Sequence, residues 1–375
     1  MAGIYLHIPF CETRCIYCDF YSITQWEWKD VYTDALCQEL TERKNYLHGE
    51  PVRTVYLGGG TPSQLTERQL YRLFDTLVQV YTLSDAEEIT LEANPDDLTD
   101  DYVAVLRSLP INRLSIGIQT FNDHALLLLR RRHTASQARE AVARCQKAGF
   151  EHISIDLMYG LPGESAAHWK DDLRQALALG VEHISAYHLT YEPKTELYHM
   201  RRRKQVYPVT ETRSLLLFNM LIDTLAGAGY EQYELSNFCL PGRYSRHNSA
   251  YWEGVPYLGC GAAAHSFDGK SRRWNIASVK EYTRSVQHGA PYYEVETLDL
   301  TTRYNEAVIT RLRTRAGLSV DYLTAVYGSR LAQYCLQQAA PYLKSQKLQL
   351  SNGVLSLTRE GLFLSDAVMR DLVWV

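Results

Sequence analysis

For the first two thirds of the chain, short runs of branched and aromatic residues alternate with longer stretches whose apolar positions recur at helical period. The runs at 4–8, 54–57, 89–93, 113–118, 152–158 and 183–189 read as strands, and 28–47, 67–80, 100–108, 135–148 and 166–179 read as the helices between them. Strands joined through helices by short connections form a parallel sheet with helices outside, either doubly wound or curled into a barrel. A closed TIM barrel needs about eight such units, so six predict an α/β fold of partial (βα)₆ type spanning 1–230.

Beyond this the pattern changes. Residues 231–297 read as an extension of the sheet. From about Leu298 helical stretches at 303–315, 320–327 and 331–344 precede two β-runs, 348–350 and 354–357, joined by the turn Ser351-Asn352-Gly353. Thr358-Arg-Glu-Gly361 then opens a last helix. This order predicts a small α+β, winged-helix-like domain over 298–375. Such modules often bind DNA, but no helix here is densely basic and the formal net charge is −4. The domain therefore reads as a cover or a docking surface, and nucleic acid is not an expected partner.

No stretch is apolar and long enough for a transmembrane segment. The absence of an apolar leader and the lack of a disulfide pattern predict a cytoplasmic, reduced location. The 27 tyrosines suit half-buried packing and would also suit a flat macrocyclic ligand.

Chemistry concentrates near the N-terminus. Cys11, Cys15 and Cys18 stand at C-x-x-x-C-x-x-C spacing on a loop after the first strand, whereas Cys37, Cys145, Cys239, Cys260 and Cys335 are scattered as core cysteines are. Zinc sites add a second cysteine pair or histidines nearby, and none is evident. Three thiolates on an iron–sulfur cluster that normally takes four leave one iron open to a small molecule. Further polar residues follow the strand ends, where parallel α/β folds place their sites: Gly58-Gly59-Gly60-Thr61-Pro62, Glu92-Ala-Asn-Pro95, Gln119, and Asp156 within the fifth strand. The glycines let backbone approach a ligand and offer N–H groups to an anion. The carboxylates and amide suit a ribose and an amine; each alone would serve equally as a helix cap or packing contact.

Together with the lead-in Tyr5-Leu-His-Ile-Pro-Phe-Cys11, these motifs resemble the radical S-adenosylmethionine superfamily, in particular its coproporphyrinogen-dehydrogenase-like group. The resemblance implies a three-quarter TIM barrel and a [4Fe–4S] cluster on Cys11, Cys15 and Cys18. It also implies S-adenosylmethionine (SAM) on the open iron, cleaved to a 5′-deoxyadenosyl radical by an electron from the cluster, and an electron donor for the cluster. It places Tyr5, Tyr17, Gly59, Gly60, Thr61, Glu92, Gln119, Arg131 and Asp156 around SAM. In the dehydrogenase branch another cysteine lies two residues after the third ligand and the N-terminus is longer. Here Cys18 is followed by Asp19-Phe20-Tyr21 and the chain begins close to its first strand, as in haem chaperones of the HemW type. The chaperone signature H-N-x-x-Y-W stands as His247, Asn248, Tyr251 and Trp252. The stretch Gly259-Cys-Gly-Ala-Ala-Ala-His265 departs from the pattern, in which a further glycine or proline precedes the histidine, and leaves the role of Cys260 open.

The resemblance thus implies a haem chaperone that passes haem to acceptor haemoproteins. The alternative is an oxygen-independent coproporphyrinogen III dehydrogenase, a radical decarboxylase with the same cofactors. His247 is the candidate haem contact, expected at the barrel mouth, since imidazole ligates haem iron and its aromatic neighbours offer flat faces; a hydrogen-bonded histidine in an interface is the plainer reading. Cys239, Cys260 and His265 are weaker candidates of the same kind. The basic run Arg201-Arg-Arg-Lys204 suits haem propionates, a protein partner or peripheral association with an acidic membrane; a solvated loop is the simpler account.

Overall fold

The computed structural model describes all 375 residues. Its organising feature is a period-two alternation in six strands: β1 (Ala2–Ile8), β2 (Val52–Gly59), β3 (Glu88–Ala93), β4 (Arg113–Gln119), β5 (His152–Tyr159) and β6 (His183–His188). One row is aliphatic and buried, including Ile4, Leu6, Val55, Leu57, Leu91, Leu114, Ile116, Ile155 and Ile184. The other row is polar: Glu88, Thr90 and Glu92 in β3, Arg113 and Ser115 in β4, Ser154 and Asp156 in β5, His183 and Ser185 in β6. Successive strand residues point to opposite faces, so the sheet sets its aliphatic row against the surrounding helices and its polar row into a hollow interior. The strands pair in parallel and in chain order, as the (βα)₆ reading requires.

The helices start sharply because serine and threonine side chains accept hydrogen bonds from free N–H groups of the first turn. Thr66, Thr99, Thr134 and Ser165 cap the helices Glu67–Val80, Asp100–Ser108, Ala135–Lys147 and Ala166–Ala178.

Residues 231–297 extend the sheet at both edges. β7 (Glu231–Gln232) and β8 (Asn237–Cys239) join antiparallel beyond β6. β9 (Tyr257–Cys260) runs parallel to β1 as a seventh parallel strand, followed by antiparallel β10 (His265–Phe267), β11 (Ser271–Asn275) and β12 (Tyr293–Thr297). The β9–β12 side is tied to the helix Lys29–Glu42 through Glu39. This fully buried carboxylate accepts from Arg43 (3.0 Å), the Gly261 N–H (2.8 Å), Asn275 (2.9 Å) and the Tyr282 hydroxyl (2.7 Å). A buried charge so fully hydrogen-bonded is tolerated, whereas loss of a partner leaves it exposed to a strong desolvation cost.

To pass from one sheet edge to the other, the chain crosses beneath the barrel as the helix Arg246–Glu253. Glu88, at the start of β3, accepts from the Arg246 and His247 N–H groups and the Ser245 hydroxyl and so holds the N-terminus of this helix.

The C-terminal part has a core of its own, 16 buried residues separate from the 61 of the barrel. Helices Leu300–Leu312, Val320–Tyr327 and Ser329–Lys344 pack on an antiparallel sheet of Leu318–Ser319, Val354–Leu357 and Leu348–Ser351, the winged-helix order. It docks on the barrel where Phe363 meets Phe218, Arg359 reaches Asp223 and Asn219, and the Arg313 guanidinium lies over Trp252.

Candidate functional site

The C-terminal ends of β1–β6 surround a cavity of about 490 Å³ whose wall includes all three clustered cysteines. The loop that carries them is held at its base by paired backbone: Cys11 N–H donates to Ile23 O (2.9 Å) and Ile23 N–H to Pro9 O (2.7 Å). Its middle is pinned through Ile16, whose N–H donates to Leu129 O (3.4 Å) and whose carbonyl accepts from Leu197 N–H (2.9 Å). The Ile16 side chain is buried in a small apolar cluster with Leu129, Met158, Leu189 and Leu197.

Gly59 and Gly60 seat the loop. A Cβ on Gly60 would lie 2.7 Å from Ile8 O and 2.9 Å from Phe10 N; Gly59 has φ +106 and its Cβ would meet the His7 ring at 2.5 Å. The Gly59 N–H is already donated to Glu92 Oε2 at 3.1 Å. The glycines therefore bring two strand ends together and leave this N–H no part in an anion cradle, a correction to the simplest reading of the motif.

Donors face the sulfurs. Thr61 Oγ1 is 3.4 Å from Cys11 Sγ, and Arg131 Nη1 is 3.5 Å from Cys15 Sγ while its Nη2 donates to Asn94 Oδ1 at 2.7 Å. Burial opposes the charge of Arg131, but Tyr17 and Cys15 outweigh it, so this guanidinium stays charged. Burial pushes the Cys11 thiol up and the Cys18 thiol to about 11. Cations brought against these two thiols would favour their thiolate forms. Three thiols on one cavity, with donors aimed at two of them, fit a cluster with sulfur ligands.

Opposite the loop stand two carboxylates. Glu92 accepts from the Tyr56 hydroxyl (2.7 Å), and burial pushes its pKa up to about 7. Asp156 accepts from Ser115 (3.4 Å) and is pushed up to about 6, again by burial. Gln119 enters the cavity from a bulge in β4 with left-handed backbone, φ 72, a conformation that side-chain-bearing residues hold only under constraint. Tyr17 completes this wall.

Two stretches of the chain match known families: residues 5–176 the Radical SAM superfamily, and residues 298–364 the HemN C-terminal domain. The heme chaperone HemW of Bacillus subtilis is 34% identical over 371 residues, covering 98% of both chains. The heme chaperone HemW of Escherichia coli is 32% identical, covering 91% of this chain and 93% of its own. The chain belongs to the HemW family of radical SAM proteins. The structure of coproporphyrinogen III oxidase (HemN) from Escherichia coli superposes with a TM-score of 0.86 over 99% of this chain and 90% of its own, at 24% identity. That likeness establishes the shared fold.

Within this HemW-family chain the cavity gathers Cys11, Cys15, Cys18, Tyr17, Gly59, Gly60, Thr61, Glu92, Gln119, Arg131 and Asp156. Two expected residues lie elsewhere. Tyr5 is not on the cavity wall: its hydroxyl bonds His7 Nδ1 at 3.0 Å, and its ring stacks near Tyr56. His247 is at the opposite end of the barrel from the cysteines. Its Nδ1 bonds Thr54 Oγ1 and its Nε2 the Tyr251 hydroxyl, both at 2.8 Å, and its ring stacks on Tyr56 at 5.0 Å. It is buried to 2% exposure, burial pushes its pKa down to about 3, and both of its ring nitrogens are hydrogen-bonded. Its expected place at the mouth is corrected, because the H-N-x-x-Y-W segment is the crossing helix under the barrel. Cys239 and Cys260 are buried strand residues, and His265 stacks against Trp274 on the outer extension. Arg201 and Arg203 of the basic run lie over Tyr191 and against Glu196.

Asn94, Ser115 and Tyr187 also line the cavity, and Tyr56 supports it from behind by donating to Glu92; of the four only Asn94 falls within a sequence motif, Glu92-Ala-Asn-Pro95. The signal that finds the other three is the polar row of the strands: each is a non-aliphatic residue at alternating positions.

Proposed function

We propose that this protein binds haem and transfers it to acceptor haemoproteins, with a [4Fe–4S] cluster on Cys11, Cys15 and Cys18 and exchangeable SAM beside it. The observation that carries the proposal is likeness to HemW heme chaperones along almost the whole chain; the cavity chemistry supports it. When bound, the cluster supplies an open iron and one electron. The protein's part is positional. The Cys loop holds the thiols through Ile16, Arg131 and Thr61 donate to sulfur, and Glu92, Asp156 and Gln119 offer acceptors for the amine and hydroxyls of SAM. Electrons come from a donor protein.

After anaerobic reconstitution the chain should hold about four irons, and Cys15→Ser should lose them. Haem should bind stoichiometrically and pass to an apo-haemoprotein on mixing. The competing reading is a decarboxylase, so coproporphyrinogen III with reductant and SAM should give no product; turnover there, or an intact cluster in Cys15→Ser, overturns the corresponding part of the proposal.

A further inference from the structure

Resting on the haem-binding reading above, we infer that haem lies across the mouth of the cluster cavity, its porphyrin face on Phe20 and its propionates on Arg14 and Arg130. Phe20 lines this cavity yet is 64% exposed, among the most exposed large apolar side chains of the protein. It does not serve to cover the cysteines, since Ile16 is buried beneath them and Tyr17 sits at their side. An exposed aromatic ring on the lip of a cavity is a surface for a flat apolar ligand.

Charge on the same rim selects the ligand further. Arg14 and Arg130 both line the cavity and are exposed. Neither has a carboxylate partner, in contrast to Arg132 next door, which is engaged by Glu12, Asp96 and Asp97. Asp19 is the one unpaired carboxylate on this rim, which leaves two free guanidiniums against a single negative charge. Arg130 is also held with φ 57, a left-handed backbone that costs energy for a residue with a side chain and is retained where surroundings impose it. Guanidinium groups bind carboxylates through paired, charge-assisted hydrogen bonds. A ring flanked by two free guanidiniums thus matches a planar macrocycle with two carboxylate arms.

The cavity's size places that macrocycle at the mouth. A volume of about 490 Å³ is what one drug-sized ligand fills, and the cysteine and carboxylate walls claim it for cluster and SAM. The other candidates are less suited: His247 is walled in under the barrel, and the ring nitrogens of His265 lie on the far extension beside Trp274.

The test is a haemin titration of the cluster-loaded, full-length protein followed in the Soret band. Phe20→Ala should weaken binding about tenfold, and Phe20→Tyr, which keeps the flat face, should restore most of it. Arg14→Ser with Arg130→Ser should weaken binding about tenfold, but should change binding of haem dimethyl ester less than about twofold, because the ester has no carboxylates to lose. Iron content and melting temperature, measured on each variant, report folding independently. Wild-type binding that none of these variants changes overturns the location and leaves the haem reading standing. Equal losses for haem and its ester overturn the propionate contacts. Absence of haem binding by the wild type overturns the underlying reading itself.

Discussion

Glu92 and Asp156 are the residues whose chemistry is most altered by their surroundings. Burial raises both, to about 7 and about 6 from ordinary values of 4.5 and 3.8. A carboxyl group whose pKa is higher in the folded state holds its proton more tightly there than in the unfolded chain, so its contribution to stability is present below the unfolded value and lost as pH rises through the folded one. For the ligand-free protein, Glu92→Gln should therefore gain melting temperature relative to wild type as pH goes from about 5 to about 8. SAM carries an ammonium and a sulfonium and favours the ionised pair, so its affinity should rise over the same interval. In Glu92→Gln that rise should shrink; an undiminished pH dependence in calorimetric titration would remove Glu92 from the binding site. Gly60→Ala acts on a different physical quantity. Its Cβ would press on the backbone of Ile8 and Phe10, and reconstituted iron per chain should fall severalfold while helix content stays unchanged.

Among the elements, the cysteine loop and the crossing helix behave in opposite ways. The loop has little regular structure and depends on Ile16 for its position. Ile16→Ala removes buried contacts and leaves a cavity costing about 2–4 kcal/mol locally, and it should speed loss of iron to a chelator while the global melt shifts much less. The crossing helix is structural. His247→Ala would leave Thr54 and Tyr251 without partners in a buried setting, a cost of about 2–4 kcal/mol, visible as a lower denaturant midpoint, with haem stoichiometry unchanged. A proportionate loss of haem in a folded His247→Ala would reinstate that residue as a ligand. The strands and the helices Glu67–Val80 and Asp100–Ser108 were legible from periodicity because their buried residues recur at the period of the element, as Leu70, Leu73, Phe74 and Leu77 do on one helix face. The helix Glu211–Gly227 was not, because its apolar residues spread over more than one face to meet the barrel and the C-terminal domain.

At the scale of the molecule, two cores meet across a joint in which Trp252, the last residue of the H-N-x-x-Y-W segment, lies under Arg313 of the C-terminal domain. The same segment closes the barrel floor, so one short helix connects the domain to the base of β1–β3. Trp252→Ala should loosen the domain: amide exchange in 298–375 should quicken while exchange in β3–β5 stays slow. Equal acceleration in both would mean that the two cores unfold as a single unit. No helix is long and apolar enough to cross a membrane.

The local rules of the chain were sufficient for the parallel strands, their helices, the winged-helix order and the cysteine motif, since each depends on short-range periodicity or spacing. They also singled out Glu92 and Gln119, which lie where parallel strands end, and Asp156 within the fifth strand. What the chain could not declare locally was direction in space. The polar row of the strands faces inward only because the sheet curls. His247 lies beneath the barrel because the chain must cross from β8 to β9, and Arg130 shares a rim with Phe20 and Arg14 although more than a hundred residues separate it from either. Those relations arise from closure of the sheet, which brings distant positions together without leaving a local mark on the sequence.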